Sequence, residues 1–222
     1  YRTIFPPDVE WANDHDRRAV ISWPIAKGTY HTARPFNYGE GTDLSRYDSV
    51  KIPSSFMVSQ GQSDMDFVAG YDSGKQKGIV TVADHHISPG KKMWHWGKGD
   101  FGEMWCSNLT DKNGPYIELM TGVYTDNQPD FTWLQPYEEK TFKQYFMPYK
   151  AAGVVKNATI DAAVNMTCTQ EGVEIIVYAT GTHLADIELT YDGKVLMKEK
   201  KVISPTDIYK HALLKISKKK RN

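Results

Sequence analysis

Cysteine is nearly missing from this chain of 222 residues: Cys106 and Cys168 are its two, and they lie far apart. Without a C-x-x-C pair neither a zinc ribbon nor a disulfide framework is written here, and the redox compartment stays open. An excess of charge is missing too. The 27 basic and 27 acidic residues cancel, so no long-range field gathers nucleic acid or an anionic membrane, and a neutral or locally read partner is expected. The one local exception is the basic tail Lys215-Ile-Ser-Lys-Lys-Lys-Arg-Asn222, which reads either as a solvated terminus or as a contact for phosphate or lipid. No apolar run approaches the roughly 18–20 residues of a membrane-spanning helix, and the opening residues lack the basic-then-apolar layout of a secretion signal. The P-loop, H-E-x-x-H and G-x-S-x-G patterns are absent, which removes P-loop nucleotide, zinc-protease and serine-hydrolase readings. With no Asp-x-Asp-x-Asp-Gly calcium loop either, no metal and no cofactor is expected.

Aromatic residues, by contrast, are plentiful. Six tryptophans and thirteen tyrosines argue for a folded chain, because disordered segments are poor in them. The first sixty residues are punctuated by Phe5-Pro-Pro, Ser22-Trp-Pro-Ile and Arg34-Pro-Phe-Asn-Tyr-Gly. Prolines spaced so closely remove backbone donors and break helices, so this stretch reads as short strands and ordered loops. From Met65 onward the pattern turns to alternation: Asp66–Asp72, Gly78–Asp84, Lys92–Gly97, Tyr116–Gly122 and Lys140–Pro148 each read as strands of an antiparallel sheet. Ser73-Gly-Lys-Gln-Lys-Gly78 supplies a turn between two of them. Helical pattern is confined to the neighbourhoods of Asp100–Cys106 and Pro205–Ala212. The aromatic density falls at Pro148-Tyr-Lys-Ala-Ala-Gly, which divides the chain into residues 1–150 and residues 151–222. In the second part Ala162–Cys168, Gly172–Ala179 and Asp186–Lys200 read as strands, the last containing the hairpin signal Asp192-Gly193. The fold class expected is all-β, with a small immunoglobulin-like β-sandwich behind a larger antiparallel portion. The small module carries no cluster of catalytic residue types and reads as a spacer or docking unit.

Chemistry concentrates between residues 83 and 138. Glu118 stands in the alternating run Tyr116-Ile-Glu-Leu-Met, where large apolar neighbours strip hydration from a carboxylate and make it a usable acid or base. A solvent-facing strand glutamate is the plainer alternative. His85 and His86 follow a strand end; read as strand residues they point to opposite faces, so one of them at most enters a given site and the pair is not a chelate. With Asp84 alongside, one of them serves as an acid or binds a hydroxyl, unless both are surface or core histidines. Trp94, His95, Trp96 and Trp105 lie within twelve positions. Indole faces stack on the C–H faces of sugar rings while indole N–H donates to hydroxyls, and the same tryptophans could equally build a sheet core. Tyr124-Thr-Asp126-Asn127-Gln128-Pro-Asp130-Phe-Thr-Trp133 offers directed donors and acceptors of the kind a polyol needs, or a turn between strands. Residue types and spacing together point to a carbohydrate-facing cleft.

The stretches Ser22-Trp-Pro-Ile, Ala83-Asp-His-His-Ile-Ser-Pro-Gly-Lys-Lys-Met-Trp-His-Trp-Gly, Gly99-Asp-Phe-Gly and Gly114-Pro-Tyr-Ile-Glu-Leu-Met-Thr-Gly-Val-Tyr-Thr-Asp-Asn-Gln-Pro-Asp-Phe resemble a bacterial family, domain of unknown function 5107. The resemblance runs from about residue 5 to the end of the chain. It implies a galactose-mutarotase-like β-supersandwich joined to a small β-domain and often to tetratricopeptide repeats, with the first half of the supersandwich lying upstream of Tyr1. On that view the chain is a fragment, expected to fold with compensation at its unpaired edges, to pair with a second copy, or to belong to a larger protein. A weaker resemblance is to aldose 1-epimerases: Glu118-Leu-Met, Thr125-Asp-Asn-Gln-Pro and Gln135-Pro-Tyr-Glu138 fall in the order of their late catalytic strand, although the family's Glu-Thr-Gln is not kept. This implies Glu118 as the base, with His85 or His86 as the acid. A glycosidase or lyase version would need a second carboxylate, for which Asp126, Asp130 and Glu103 are available. The alternative from another class is a non-catalytic glycan-binding or scaffolding module of a larger protein. Expected partners are a carbohydrate ligand and the parent protein's flanking half-domain or repeats, with no nucleic acid and no membrane span.

Overall fold

Asp72-Ser-Gly-Lys-Gln-Lys77 closes the first long hairpin: the Asp72 carboxylate accepts the backbone N–H groups of Gly74 and Lys75 at 2.9 and 3.1 Å, and Gln76 takes a positive φ of 53°. Hairpins of this kind dominate a computed structural model that describes residues 1–15, 19–27, 38–127 and 130–214. In chain order the strands are β1 (Arg2–Ile4), β2 (Trp11–Asn13), β3 (Val20–Ser22), β4 (Ser54–Met57), β5 (Phe67–Asp72), β6 (Lys77–Val82) and β7 (Lys92–His95). After helix α1 (Asp100–Thr110) come β8 (Ile117–Met120), β9 (Tyr145–Lys150), β10 (Asn157–Ala158), β11 (Ala162–Cys168), β12 (Gly172–Ala179), β13 (His183–Tyr191), β14 (Lys194–Ile203) and β15 (Tyr209–Leu214). Every pairing among the described residues is antiparallel. The protein is all-β in architecture, with one helix of note.

Four sheets stack through three cores. The five-stranded sheet β3-β2-β4-β7-β8 and the four-stranded sheet β1-β5-β6-β9 share a core of Phe5, Ile21, Trp23, Phe56, Met93 and Val68. The opposite face of β5 and β6, with Phe67, Tyr71 and Val80, packs on Ala163, Ile176 and Tyr178 of the sheet β10-β11-β12-β15. That sheet in turn buries Ile175, Val177 and Tyr209 against Met197 and Ile203 of the two-stranded sheet β13-β14. Strict alternation along β12 makes this possible, because successive side chains feed two different cores. Ala152 and Val155, in the link after β9, belong to the middle core.

Local chemistry explains where the elements depart from the sequence pattern. The helix begins at Asp100 as expected but runs on to Thr110, with Asp100 and Glu103 in its first turn, where carboxylates meet the positive end of the helix dipole. No helix forms at 205–212. There the Ser204 hydroxyl accepts the N–H groups of Thr206 and Asp207 in a turn, and β15 follows with Tyr209 buried. Residues 140–144 precede β9 rather than belonging to it. The Asp192-Gly193 hairpin forms, both residues having positive φ (49° and 70°). The basic tail from Lys215 lies outside the described residues.

Candidate functional site

The register of the five-stranded sheet decides which side chains can meet. Met93 and Leu119 are cross-strand partners and face the core, so their immediate strand neighbours Lys92, Trp94, Glu118 and Met120 face away from it. Two ladder rows cross that second face. One joins Val20, Asn13, Met57, Lys92 and Met120 across all five strands. The other joins Ser55, Trp94 and Glu118 across β4, β7 and β8. Glu118 is half-buried directly opposite Trp94. Among the described residues it has neither a hydrogen-bond nor an ion-pair partner, so its carboxylate is uncommitted.

A segment from after β8 folds over this face. Lys92 Nζ donates to the Asp126 carbonyl, and burial pushes the Lys92 ammonium pKa down, against the opposing pull of Asp126. Asn127 Nδ2 donates to His15 Nδ1 at 3.2 Å, and the same ring nitrogen lies 3.3 Å from Ser55 Oγ. An amide N–H only donates, so Nδ1 is the accepting nitrogen and the ring proton resides on Nε2. Among the described residues the Nε2–H of His15 meets no partner. Glu118 and Ser55 are two strand spacings apart, roughly 10 Å, so the carboxylate and the His15 imidazole stand at opposite sides of the Trp94 ring. Sequence reasoning passed over His15, Ser55 and Lys92. The sequence signals were the turn-forming Asn13-Asp14-His15 behind a strand, and the alternation that puts Lys92 and Trp94 on one side.

The other expected residues are distributed differently. His85 and His86 lie in a turn after β6, in the connection between two sheets rather than on the face with Glu118. Because the turn breaks the strand alternation, their rings lie side by side, 3.9 Å between centroids. His95 faces the core: it is 2% exposed, its ring sits 5.7 Å from Tyr47 and 5.6 Å from Phe56, and neither ring nitrogen has a partner. Burial lowers its pKa from the usual histidine range to about 4. Trp96 stacks on Trp105 of α1 at 5.0 Å, with Phe101 edge-on to both, so these rings bind the helix to the end of β7. Tyr124 is half-buried, its hydroxyl enclosed without a partner. The Asp126 carboxylate accepts the Thr132 hydroxyl. Trp133 is 80% exposed on the loop before β9, and Gln128 lies outside the described residues. Glu103 is exposed on α1, and Asp130 is exposed in that same loop.

Gly97-Lys-Gly99-Asp-Phe-Gly102 has the G-x-G-x-x-G spacing between a strand and a helix, a dinucleotide-site signal only within a parallel βαβ unit. Here the sheet is antiparallel and the glycines are required by packing. A Cβ would meet the Ile52 carbonyl at 2.5 Å from Gly97, the Lys51 carbonyl at 2.6 Å from Gly99 and the Gly97 carbonyl at 2.1 Å from Gly102.

Comparison with known families adds two matches. Residues 5–152 match the model of a domain of unknown function (DUF5107), and residues 157–220 match that of the second domain of YphG-like proteins. No solved structure matches the chain.

Proposed function

We propose that this chain, which belongs to the DUF5107 family, binds a saccharide on the non-core face of its five-stranded sheet, with Glu118 as the proton-exchanging group and His15 as the hydrogen-bond donor opposite it. One observation carries the reading: a carboxylate and an imidazole Nε2–H, both without a partner among the described residues, and an indole are brought together from β8, the segment after β2 and β7. The indole provides a stacking floor for the C–H face of a sugar. Asn127 and Lys92 supply polar contacts around it, as a polyol requires, while Ser55 beneath holds His15. In the epimerase-like version Glu118 takes the anomeric hydroxyl proton, and as the ring C–O bond breaks the His15 Nε2–H donates a hydrogen bond to the negative charge that develops on the ring oxygen. The carbonyl end rotates, the ring oxygen attacks its other face, and Glu118 returns the proton to the new anomeric oxygen. His15 takes the part first expected of His85 or His86, because among the described residues it is the histidine held against the face that carries Glu118. The likeness in residue order to aldose 1-epimerases belongs to this proposal and not to the family match.

The experiment is a screen of free sugars and oligosaccharides by ligand-observed NMR, with anomer exchange followed in the same spectra, on the wild type and on Glu118→Gln. Binding in both with exchange only in the wild type supports the pair. Binding with no turnover in the wild type assigns the face to a non-catalytic glycan-binding module. Absence of saccharide binding overturns the reading.

A further inference from the structure

We propose that Asp84, His85 and His86 form a binding site for a divalent transition-metal ion of the zinc class, in the turn that joins β6 to β7. One ligand atom from each of the three lies within 4.8 Å of the other two. An ion held about 2.1 Å from every donor needs donor separations of roughly 3–4 Å. Asp84 Oδ1 already holds His86, accepting its backbone N–H at 2.9 Å and lying 3.1 Å from its Nδ1; the two side chains are 56% and 78% exposed, so an ion can replace that ring contact as they rotate to close the gap.

A second observation points the same way. His85 Nδ1 lies 2.7 Å from Asp66 Oδ1, and the same carboxylate oxygen accepts the His85 backbone N–H at 2.9 Å. An ionised carboxylate only accepts, so the His85 ring proton is on Nδ1 and the lone pair is on Nε2. A carboxylate behind the non-ligating nitrogen is the arrangement that orients metal-binding histidines and raises their basicity. Two imidazole nitrogens and one carboxylate oxygen suit zinc, nickel or copper, whereas calcium and magnesium take oxygen sets. Three protein donors leave a fourth position for water. Asp66 stands immediately before β5 and Lys92 opens β7. An ion here ties the hairpin of the four-stranded sheet to the strand that carries Trp94.

The test is calorimetric titration of the metal-stripped full chain with Zn²⁺, repeated with Co²⁺ to read its visible absorption. The expected result is one equivalent bound with a dissociation constant of micromolar order. His86→Ala and Asp84→Asn should each weaken it at least about tenfold, and Asp66→Asn, which removes no ligand, should weaken it about 10- to 100-fold. The high exposure of His86 makes His86→Ala safe for folding, so that variant decides the matter even where His85→Ala does not fold. No heat and no cobalt absorption at about 1 mM ion, or undiminished affinity in His86→Ala, overturns the site.

Discussion

His15 lies 3.3 Å from Ser55 through its Nδ1, although forty residues separate them in the chain. Ser55 is 2% exposed within β4, so the contact ties the histidine to a buried strand position on the sheet. Ser55→Ala leaves Asn127 as the remaining anchor of that nitrogen. One lost hydrogen bond of this kind is worth about 1 kcal/mol, so saccharide affinity should fall about fivefold while the protein stays folded. Calorimetric titration beside a thermal melt checks both halves, and unchanged affinity would remove His15 from the binding face.

Trp94→Ala tests the floor of the same site. Its ring makes no close contact with other aromatic rings among the described residues, unlike Trp96 and Trp105, so its loss should spare the aromatic cluster on α1. An aromatic contact is worth about 0.5–1.5 kcal/mol beyond area, which corresponds to a loss of roughly 2- to 13-fold in affinity. Trp105→Ala should instead lower stability with little change in binding. The two melting curves and two isotherms together separate platform from core.

What the sequence discloses follows from which interactions are local. Alternation in β11 and β12 and the Asp192-Gly193 turn are written in consecutive residues, and those elements stand where the pattern puts them. The orientation of β7 is local only up to a sign. Period two says that Trp94 and His95 point oppositely, but which of them enters the core depends on pairing with Ser55 and Glu118 from distant strands. His85 and His86 went to the wrong geometry for a related reason. The N–H of Ser88 bonds back to the Asp84 carbonyl at 2.7 Å, which closes a turn where strand alternation no longer applies. The neighbours of His15 mark a turn, but its partners Ser55 and Asn127, 40 and 112 positions away, are not written in them.

The buried His95 sets an acid limit on stability. Its folded pKa is lowered to about 4 from an ordinary 6.5, so above about pH 6.5 both folded and unfolded chains carry it neutral and it costs nothing. As pH falls through that value the unfolded chain gains a proton that the folded chain refuses, and stability drops until the folded pKa is reached. At about pH 5 the loss amounts to roughly 2 kcal/mol. His95→Leu abolishes this proton uptake. Urea unfolding at about pH 7 and about pH 5 should therefore show the wild type losing some 2 kcal/mol more than the variant, and equal losses would contradict the buried neutral ring.

Gly90 and Gly122 form a matched pair of positions that tests how the covering segment is held. The Gly90 N–H donates to the Gly122 carbonyl at 2.9 Å, and the two backbones touch: a Cβ on Gly90 would lie 2.1 Å from the Tyr124 carbonyl and 2.9 Å from that of Gly122. Backbone atoms cannot rotate aside, so Gly90→Ala must push residues 122–124 outward, at a cost of about 1–3 kcal/mol for overpacking. Gly122 has open space where its Cβ would go, and Gly122→Ala should change stability by no more than about 0.5 kcal/mol. The displaced segment leads directly to Asp126, which accepts from Lys92, and to Asn127, which donates to His15. Gly90→Ala should thus lose saccharide affinity together with stability, whereas Gly122→Ala keeps both. Urea midpoints and binding isotherms of the two variants check this, and a Gly90→Ala protein that binds like the wild type would show that the covering segment does not organise the cleft.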